Sequence, residues 1–328
     1  MSDFNSFISS VEKIYQDIPG DCSLLQITVK NYDQLCNILT EKELLSLDDY
    51  VLSGVKDIIS GICKSMVLEF NKFYYCILDT TQCDKIREIS SKVHSKFLND
   101  TATSYLIDAR VVGTKIENGV SIAEIIRLLS DHIHYSNSNE VFSWIKSPIK
   151  AISEIKDDYE HLNELRHSII TNSACFAFQP VVTCRNGLVE YYECLLRLSN
   201  EDFKLISAGP YIMLAEKYGY ITSVDKYVFD MAVNELLSSN NIVLSVNISN
   251  IGVQDTILTS YIKEKIESAG VGNRLIIEIT ETAMNHSIND TIDFVIAMKE
   301  LGCKIALDVF GAGYNSFNQV REFPIDII

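Results

Sequence analysis

With 328 residues, 47% hydrophobic and 22% charged, the chain can bury a sizeable core and has length enough for two domains. Its formal net charge of −16 is divided evenly: residues 1–170 hold 17 Lys and Arg against 25 Asp and Glu, and residues 171–328 hold 11 against 19. Neither half therefore offers the basic face that DNA or an anionic membrane would need.

Nine scattered cysteines, an odd number without a Cys-x-x-Cys pair, indicate neither a zinc site nor a disulfide framework and fit reduced thiols. The amino terminus carries Asp3 and Glu12 among modest apolar residues, unlike a signal peptide, and the apolar stretch Val51 to Val67 is broken by Lys56, Asp57 and Lys64. A cytoplasmic protein is expected. Residues 1–18 read as an amphipathic helix stopped by Pro19-Gly20, followed by a strand at Ser23–Val29, a helix at Tyr32–Leu39 and a longer one at Leu45–Met66. Strands are predicted at Val67–Phe70 and Phe73–Leu78, a helix at Asp84–Phe97, a strand at Ser104–Val112 and a helix at Ile122–His132. That order predicts a compact α+β sandwich.

In order and lengths this half resembles the GGDEF domain of cyclic di-GMP signalling proteins, whose signature forms a hairpin between two central strands. The matching hairpin here reads Glu69-Phe70-Asn71-Lys72-Phe73, without the glycines that admit a nucleotide or the acidic pair that holds metal. The resemblance thus implies a degenerate domain without diguanylate cyclase activity. Residues 133–147, rich in Asn, Ser and His around Trp144 and ending at Pro148, read as an interdomain connection, and Ile149–Ile170 as a charged helix. The expected division is a first domain at 1–137, a linker helix at 138–171 and a second domain at 172–328.

In the second half, Cys175–Val182 and Leu188–Leu198 read as strands around the turn Cys184-Arg-Asn-Gly187, and Ala208–Tyr218 and Thr222–Leu237 as helices, the latter opening on the capping-box spacing Thr222-Ser-Val-Asp225. A strand at Ile242–Ile248 and a helix at Thr256–Ala269 follow. Arg274–Ile279 is a β-branched run interrupted only by Glu278, and Ser287-Ile-Asn-Asp290 caps a helix whose apolar residues Ile288, Ile292, Val295 and Ile296 lead to a stop at Gly302. Lys304–Phe310 is a further buried strand that empties into Gly311-Ala-Gly313. Two parallel strands with a helical crossover place Glu278 and Asp308 at one end, where parallel α/β folds keep their chemistry. Each buried carboxylate, and Glu281 beside them, needs compensation; a cation supplies it, and so would a helix cap or a lysine.

Five blocks then match the EAL domain, a barrel family that hydrolyses cyclic di-GMP, in that family's order. They are Phe178-Gln-Pro-Val181, Tyr192-Glu-Cys-Leu-Leu-Arg197, Ser245-Val-Asn-Ile-Ser249, Glu278-Ile-Thr-Glu281 and Asp308-Val-Phe-Gly-Ala-Gly-Tyr314. The resemblance implies an α/β fold class: an N-terminal α+β GGDEF-like sandwich followed by an incomplete (β/α) TIM-type EAL barrel. It also implies oxygen ligands for one Mg²⁺ or Mn²⁺ from Glu193, Asn247, Glu278 and Asp308, with Glu193 and Asp308 catalytic. Arg197 would fork onto a phosphate of cyclic di-GMP, or else form a salt bridge on the barrel rim, and Gln179 would touch a guanine or its ribose.

Two departures follow. The family has a second aspartate where this chain has Val309, whose isopropyl group cannot ligate a second metal, so hydrolysis is expected to be impaired. Phe323–Ile328 matches the entry to the family's sixth strand, so the last strands are absent and an edge is open; a protein partner covering that edge, a longer parent chain or a decaying copy would each account for it. The expected function is a regulatory or cyclic di-GMP-binding module, with an active phosphodiesterase yielding pGpG as the alternative and a ligand-free remnant as the third reading. No DNA or membrane partner is expected, and a homodimer is left open.

Overall fold

The computed structural model describes residues 2–60, 65–100, 103–135, 140–199, 204–280, 288–308 and 324–328. The chain divides into two compact units, Met1–Asp157 and Asp158–Ile328. None of the described helices is long and apolar enough to cross a membrane.

In the first unit α1 (Ser2–Asp17) precedes β1 (Ser23–Val29), α2 (Tyr32–Cys36), α3 (Glu41–Ser60), β2 (Ser65–Phe70), β3 (Phe73–Leu78), α4 (Cys83–Asn99), β4 (Ala109–Lys115), α5 (Ile122–Tyr135) and β5 (Phe142–Ile145). The five strands form one sheet in the order β2-β3-β1-β4-β5. Alternation splits central β1: Leu25, Ile27 and Val29 face α3 and α4, whereas Leu24 packs with α1 and α5. Apolar surface is thereby buried on both faces.

Two sequence expectations fail here for identifiable reasons. The strand expected at Ser104–Val112 begins at Ala109, because the Asn31 side chain takes the Leu106 carbonyl at 2.8 Å and the Asp108 N–H at 3.0 Å, backbone groups a ladder would otherwise use. Residues 142–145, expected within a connection, are instead the edge strand β5, parallel to β4 with Gly113 opposite Trp144. A Cβ on Gly113 would stand 2.2 Å from Leu25 and 3.2 Å from Trp144, so the missing side chain is what lets the indole pack. The hairpin between β2 and β3 pairs Phe70 with Phe73 and turns through Asn71 (φ 50°) and Lys72 (φ 68°), both left-handed, as a two-residue turn matching the strand twist requires. The Lys72 ammonium binds the buried Asp48 carboxylate and lies 5.5 Å from the centre of the Tyr32 ring.

Helix α6 (Pro148–Ile170) contains the boundary between the units. In the second unit β6 (Cys175–Val182), β7 (Val189–Ser199) and β8 (Leu205–Ser207) are followed by α7 (Gly209–Lys217), α8 (Ile221–Ser238), β9 (Leu244–Asn247), α9 (Asn250–Gln254), α10 (Thr256–Ala269), β10 (Leu275–Thr280), α11 (Ile288–Glu300) and β11 (Lys304–Asp308). The sheet runs β11-β10-β9-β7-β6, with β8 paired to β7. Strands β7, β9, β10 and β11 are parallel, and β6 and β8 run antiparallel to β7. On the far side of β11, Ile327 bridges Ala306 in parallel, with Leu307 N–H donating to Ile327 O at 2.9 Å. This is where a sixth parallel strand was expected to enter. The described strands form an open sheet, coated on one face by α8, α10 and α11 through residues such as Phe229, Ile262 and Phe294.

Asp255 caps α10 by accepting from the Ile257 and Leu258 N–H groups at 2.8 and 3.0 Å, and Gly270, at φ 63°, ends it. The capping box expected at Thr222–Asp225 is absent: α8 starts at Ile221 behind Tyr220, and Asp225 points into the protein, 4% exposed. Ser287, Glu281, Val309 and the Gly311-Ala-Gly313 turn lie outside the described residues.

Candidate functional site

Residues paired in register project to the same face of a sheet, and so do residues two apart along a strand. Register pairs Glu193 with Ser245, Asn247 with Glu278, Glu278 with Ala306, and Thr280 with Asp308. Glu193, Asn247, Glu278 and Asp308 therefore share one face, opposite the helices. Antiparallel β6 adds Gln179, directly opposite Glu193, and Arg197 lies four residues beyond Glu193 on the same side. All six residues singled out from the sequence are thus brought to one face, with Asn247 and Asp308 ending β9 and β11, Glu278 two residues from the end of β10, and Glu193 midway along the longer β7.

The face divides along the strands. Lower down, Tyr191, Ile276 and Ala306 form an apolar floor with Val181, Val243 and Ile327 packed against it. Above it stands the polar row. Within that row the Asn247 amide donates to Glu193 Oε1 at 3.1 Å. Glu278 is the buried member, at 8% exposure, while Asn247 and Asp308 are exposed and Glu193 is half-buried. Burial raises the Glu278 carboxyl above its usual range, and the Glu193 and Asp308 charges raise it further. Ser245 Oγ pulls that value back but falls short of hydrogen-bond geometry, leaving an enclosed hydroxyl without a partner. Among the described residues neither Glu193 nor Glu278 has a salt bridge. Like charges beside a buried carboxyl make added positive charge favourable at Glu278.

The donor set, three carboxylates and an amide, fits a hard divalent cation rather than zinc. As the side chains stand, no group of three or more His, Cys, Asp or Glu among the described residues is close enough together to hold a metal ion. Glu193 and Asn247 are joined directly, and Glu278 senses Glu193 and Asp308 only through space. Arg197 is half-buried, donates to the Leu196 carbonyl at 3.0 Å and makes no ion pair among the described residues; Gln179 is exposed.

The structure adds polar groups that sequence reading passed over. Asp225 accepts from Ser249 N–H and Oγ–H at 3.2 and 2.5 Å, and Thr280 Oγ1 donates to Asn250 Oδ1 at 2.7 Å. A usable signal existed: Asp225 interrupts the apolar stripe Ile221, Val224, Val228, Phe229, Ala232 of α8.

The EAL domain family matches residues 162–328. The cyclic di-GMP phosphodiesterase NbdA of Pseudomonas aeruginosa is 24% identical over 299 residues, covering 85% of this chain and 37% of NbdA. The chain spans well under half the length of the curated relatives it matches. Among solved structures, the EAL domain of FimX from Pseudomonas aeruginosa bound to c-di-GMP is 24% identical over 51% of this chain and 69% of its own, with a TM-score of 0.47. The EAL enzyme Bd1971, in a cAMP-bound form, covers 80% of this chain and 72% of its own at 15% identity and a TM-score of 0.50, a likeness of fold alone. The family match takes in nearly all of the second unit, polar row included, and just over half of the chain. This chain belongs to the EAL-domain family.

Proposed function

We propose that the second unit is a cyclic di-GMP-binding module of the EAL type, impaired in phosphodiester hydrolysis and acting as a regulatory element. The observation that carries this reading is the placement of Glu193, Asn247, Glu278 and Asp308 on one sheet face in neighbouring register positions, with Arg197 and Gln179 on that face. One Mg²⁺ or Mn²⁺ would be held by those four oxygen donors, and when bound it would neutralise the carboxylates, polarise a phosphodiester and acidify a water. Arg197 offers a planar fork to a phosphate, and Gln179, exposed on the outer strand, offers an amide to a base edge or ribose. Asn247 and Glu193, already bonded to each other, hold the near side of that site. Impairment rests on the sequence: Val309 stands where the family carries a second aspartate, and an isopropyl group binds no cation.

The second reading is an active metal-dependent phosphodiesterase producing pGpG, favoured by the complete donor set of the first site. For the first unit we propose a degenerate GGDEF-like domain without cyclase activity, since its hairpin tip, Asn71-Lys72, engages Asp48 internally and carries no acidic pair. A cytoplasmic location accords with both proposals.

Calorimetry of the full chain with cyclic di-GMP and Mg²⁺ tests the main reading. Saturable heat that EDTA abolishes is expected, and silence at high micromolar protein overturns it. Chromatography after incubation with Mn²⁺ or Mg²⁺ separates the two readings, because linear pGpG at multiple turnovers would establish the enzyme.

A further inference from the structure

The turn that leaves β9 is fastened from several directions. Ile248 N–H donates to the Glu278 carbonyl at 3.0 Å. Ser249 donates both its N–H and its hydroxyl to the carboxyl of Asp225 on α8, while its Oγ accepts from Gly252 N–H at 2.9 Å. Asn250 Oδ1 accepts from Thr280 Oγ1, on the strand end whose register partner is Asp308. A Cβ on Gly252 would lie 2.2 Å from Asp225 Oδ2, so the turn backbone rests directly on that carboxyl. An acid on the apolar stripe of a helix, 4% exposed, is costly to bury, and a leucine or alanine would satisfy α8 as a helix equally well. What Asp225 supplies is two acceptors at the exit of β9, two residues beyond Asn247.

We propose that Asp225 is a positioning residue for the polar row: by gripping Ser249 it fixes the exit of β9 and keeps the Asn247 amide against Glu193. The inference rests on the reading of that row as the metal and cyclic di-GMP site. It deepens that reading by naming the group behind Asn247. Asp225 touches no ligand and acts only through Ser249. The same logic operates where partners behind the immediate ligands of a metal orient them and tune affinity.

The test uses the full chain and four variants, Asp225→Ala, Asp225→Asn, Ser249→Ala and the double Asp225→Ala/Ser249→Ala, with Leu236→Ala on the same helix as a control for lost stability. Two readouts are taken: the side-chain amide resonance of Asn247 without ligand, and the cyclic di-GMP affinity with Mg²⁺. Asp225→Ala and Ser249→Ala are expected to move the Asn247 resonance and weaken binding about tenfold. The double variant should be no worse than the weaker single, and Asp225→Asn, which keeps an acceptor for Ser249 N–H, should stay near wild type. If Asp225→Ala does not fold, Ser249→Ala removes the hydroxyl bond to Asp225 and the acceptor for Gly252 N–H without emptying the helix position, leaving only the Ser249 N–H bond in place.

An unmoved Asn247 resonance in Ser249→Ala overturns the proposal. So does a shift and affinity loss of equal size in Leu236→Ala at matched melting temperature, which reduces Asp225 to a structural residue. If the wild type binds no cyclic di-GMP, the proposed function fails by itself, and the Asn247 resonance still decides whether Asp225 positions the row.

Discussion

The two sheets handle buried carboxylates in opposite ways. In the first unit Asp48 is enclosed beside a cation of its own chain, the Lys72 ammonium, which the left-handed hairpin tip delivers, and Tyr32 donates to the same carboxylate at 3.2 Å. In the second unit Glu278 is enclosed beside Glu193 and Asp308, charges of its own sign. A carboxylate neutralised from within has little to gain from an added ion, whereas one surrounded by like charge gains a great deal. The contrast is what favours the second sheet over the first for the proposed ligand chemistry.

The sharpest way to break this contrast is Glu278→Gln. It is expected to weaken Mg²⁺-dependent cyclic di-GMP binding about 100-fold or more, while raising the melting temperature in EDTA because a crowded buried charge is removed. Calorimetry and thermal denaturation read the two effects, and a variant that binds normally would sink the site assignment.

A smaller effect concerns Asp225, whose carboxyl is pushed up to about 7, chiefly by burial, against the pull of its Ser249 bonds and with a further push from Glu216. Its folded pKa lies above the unfolded value of 3.8, so the native state holds the proton more tightly. Stability from this group is complete below about pH 4 and is lost as pH rises through 7. Asp225→Asn should flatten the decline between pH 5 and 8 by on the order of 2 kcal/mol, measured by urea unfolding across pH. An unchanged pH slope would show that Asp225 does not titrate there.

In the first unit, Lys72→Met leaves Asp48 enclosed without its cation and should cost that unit about 2 kcal/mol, with Asp48→Asn restoring part of it. Trp144, the only tryptophan, reports on this unit by fluorescence. Cyclic di-GMP binding in the second unit should be unaffected, and a matching loss there would contradict the independence of the two sites. The mildest change is Arg197→Lys, expected to weaken binding about threefold to tenfold by exchanging a planar fork for a point charge. Equal affinity would return Arg197 to a packing role.

Where strands are buried and helices strictly periodic, sequence reading placed the elements well. Cys175–Val182 has the expected bounds, β10 begins one residue later than expected, and α10 runs from Thr256 to Ala269 as expected. That the six candidate residues share a face was legible because their motifs sit on such strands, and parallel register alone carries Glu193, Asn247, Glu278 and Asp308 together. What escaped reading was held by side chains distant in sequence. Asn31 delays β4 from 75 residues away, and Trp144 joins β5 to a sheet only because Gly113 leaves room. The three-residue β8 and five-residue α9 are too short to show a period. Asp225 has capping-box spacing from Thr222, and local spacing cannot reveal that Ser249, 24 residues on, claims its carboxyl.

The apolar floor of Tyr191, Ile276 and Ala306 beneath the polar row also sets the dielectric in which that row works. Field lines from Glu278 cannot be screened by water from that side, so they act more strongly along the polar row. A cation set against that row would therefore meet a one-sided attractive potential, stronger than the same side chains would create on a wet surface. On the proposed reading, apolar residues outside the row would in this way govern how tightly an ion is held against it.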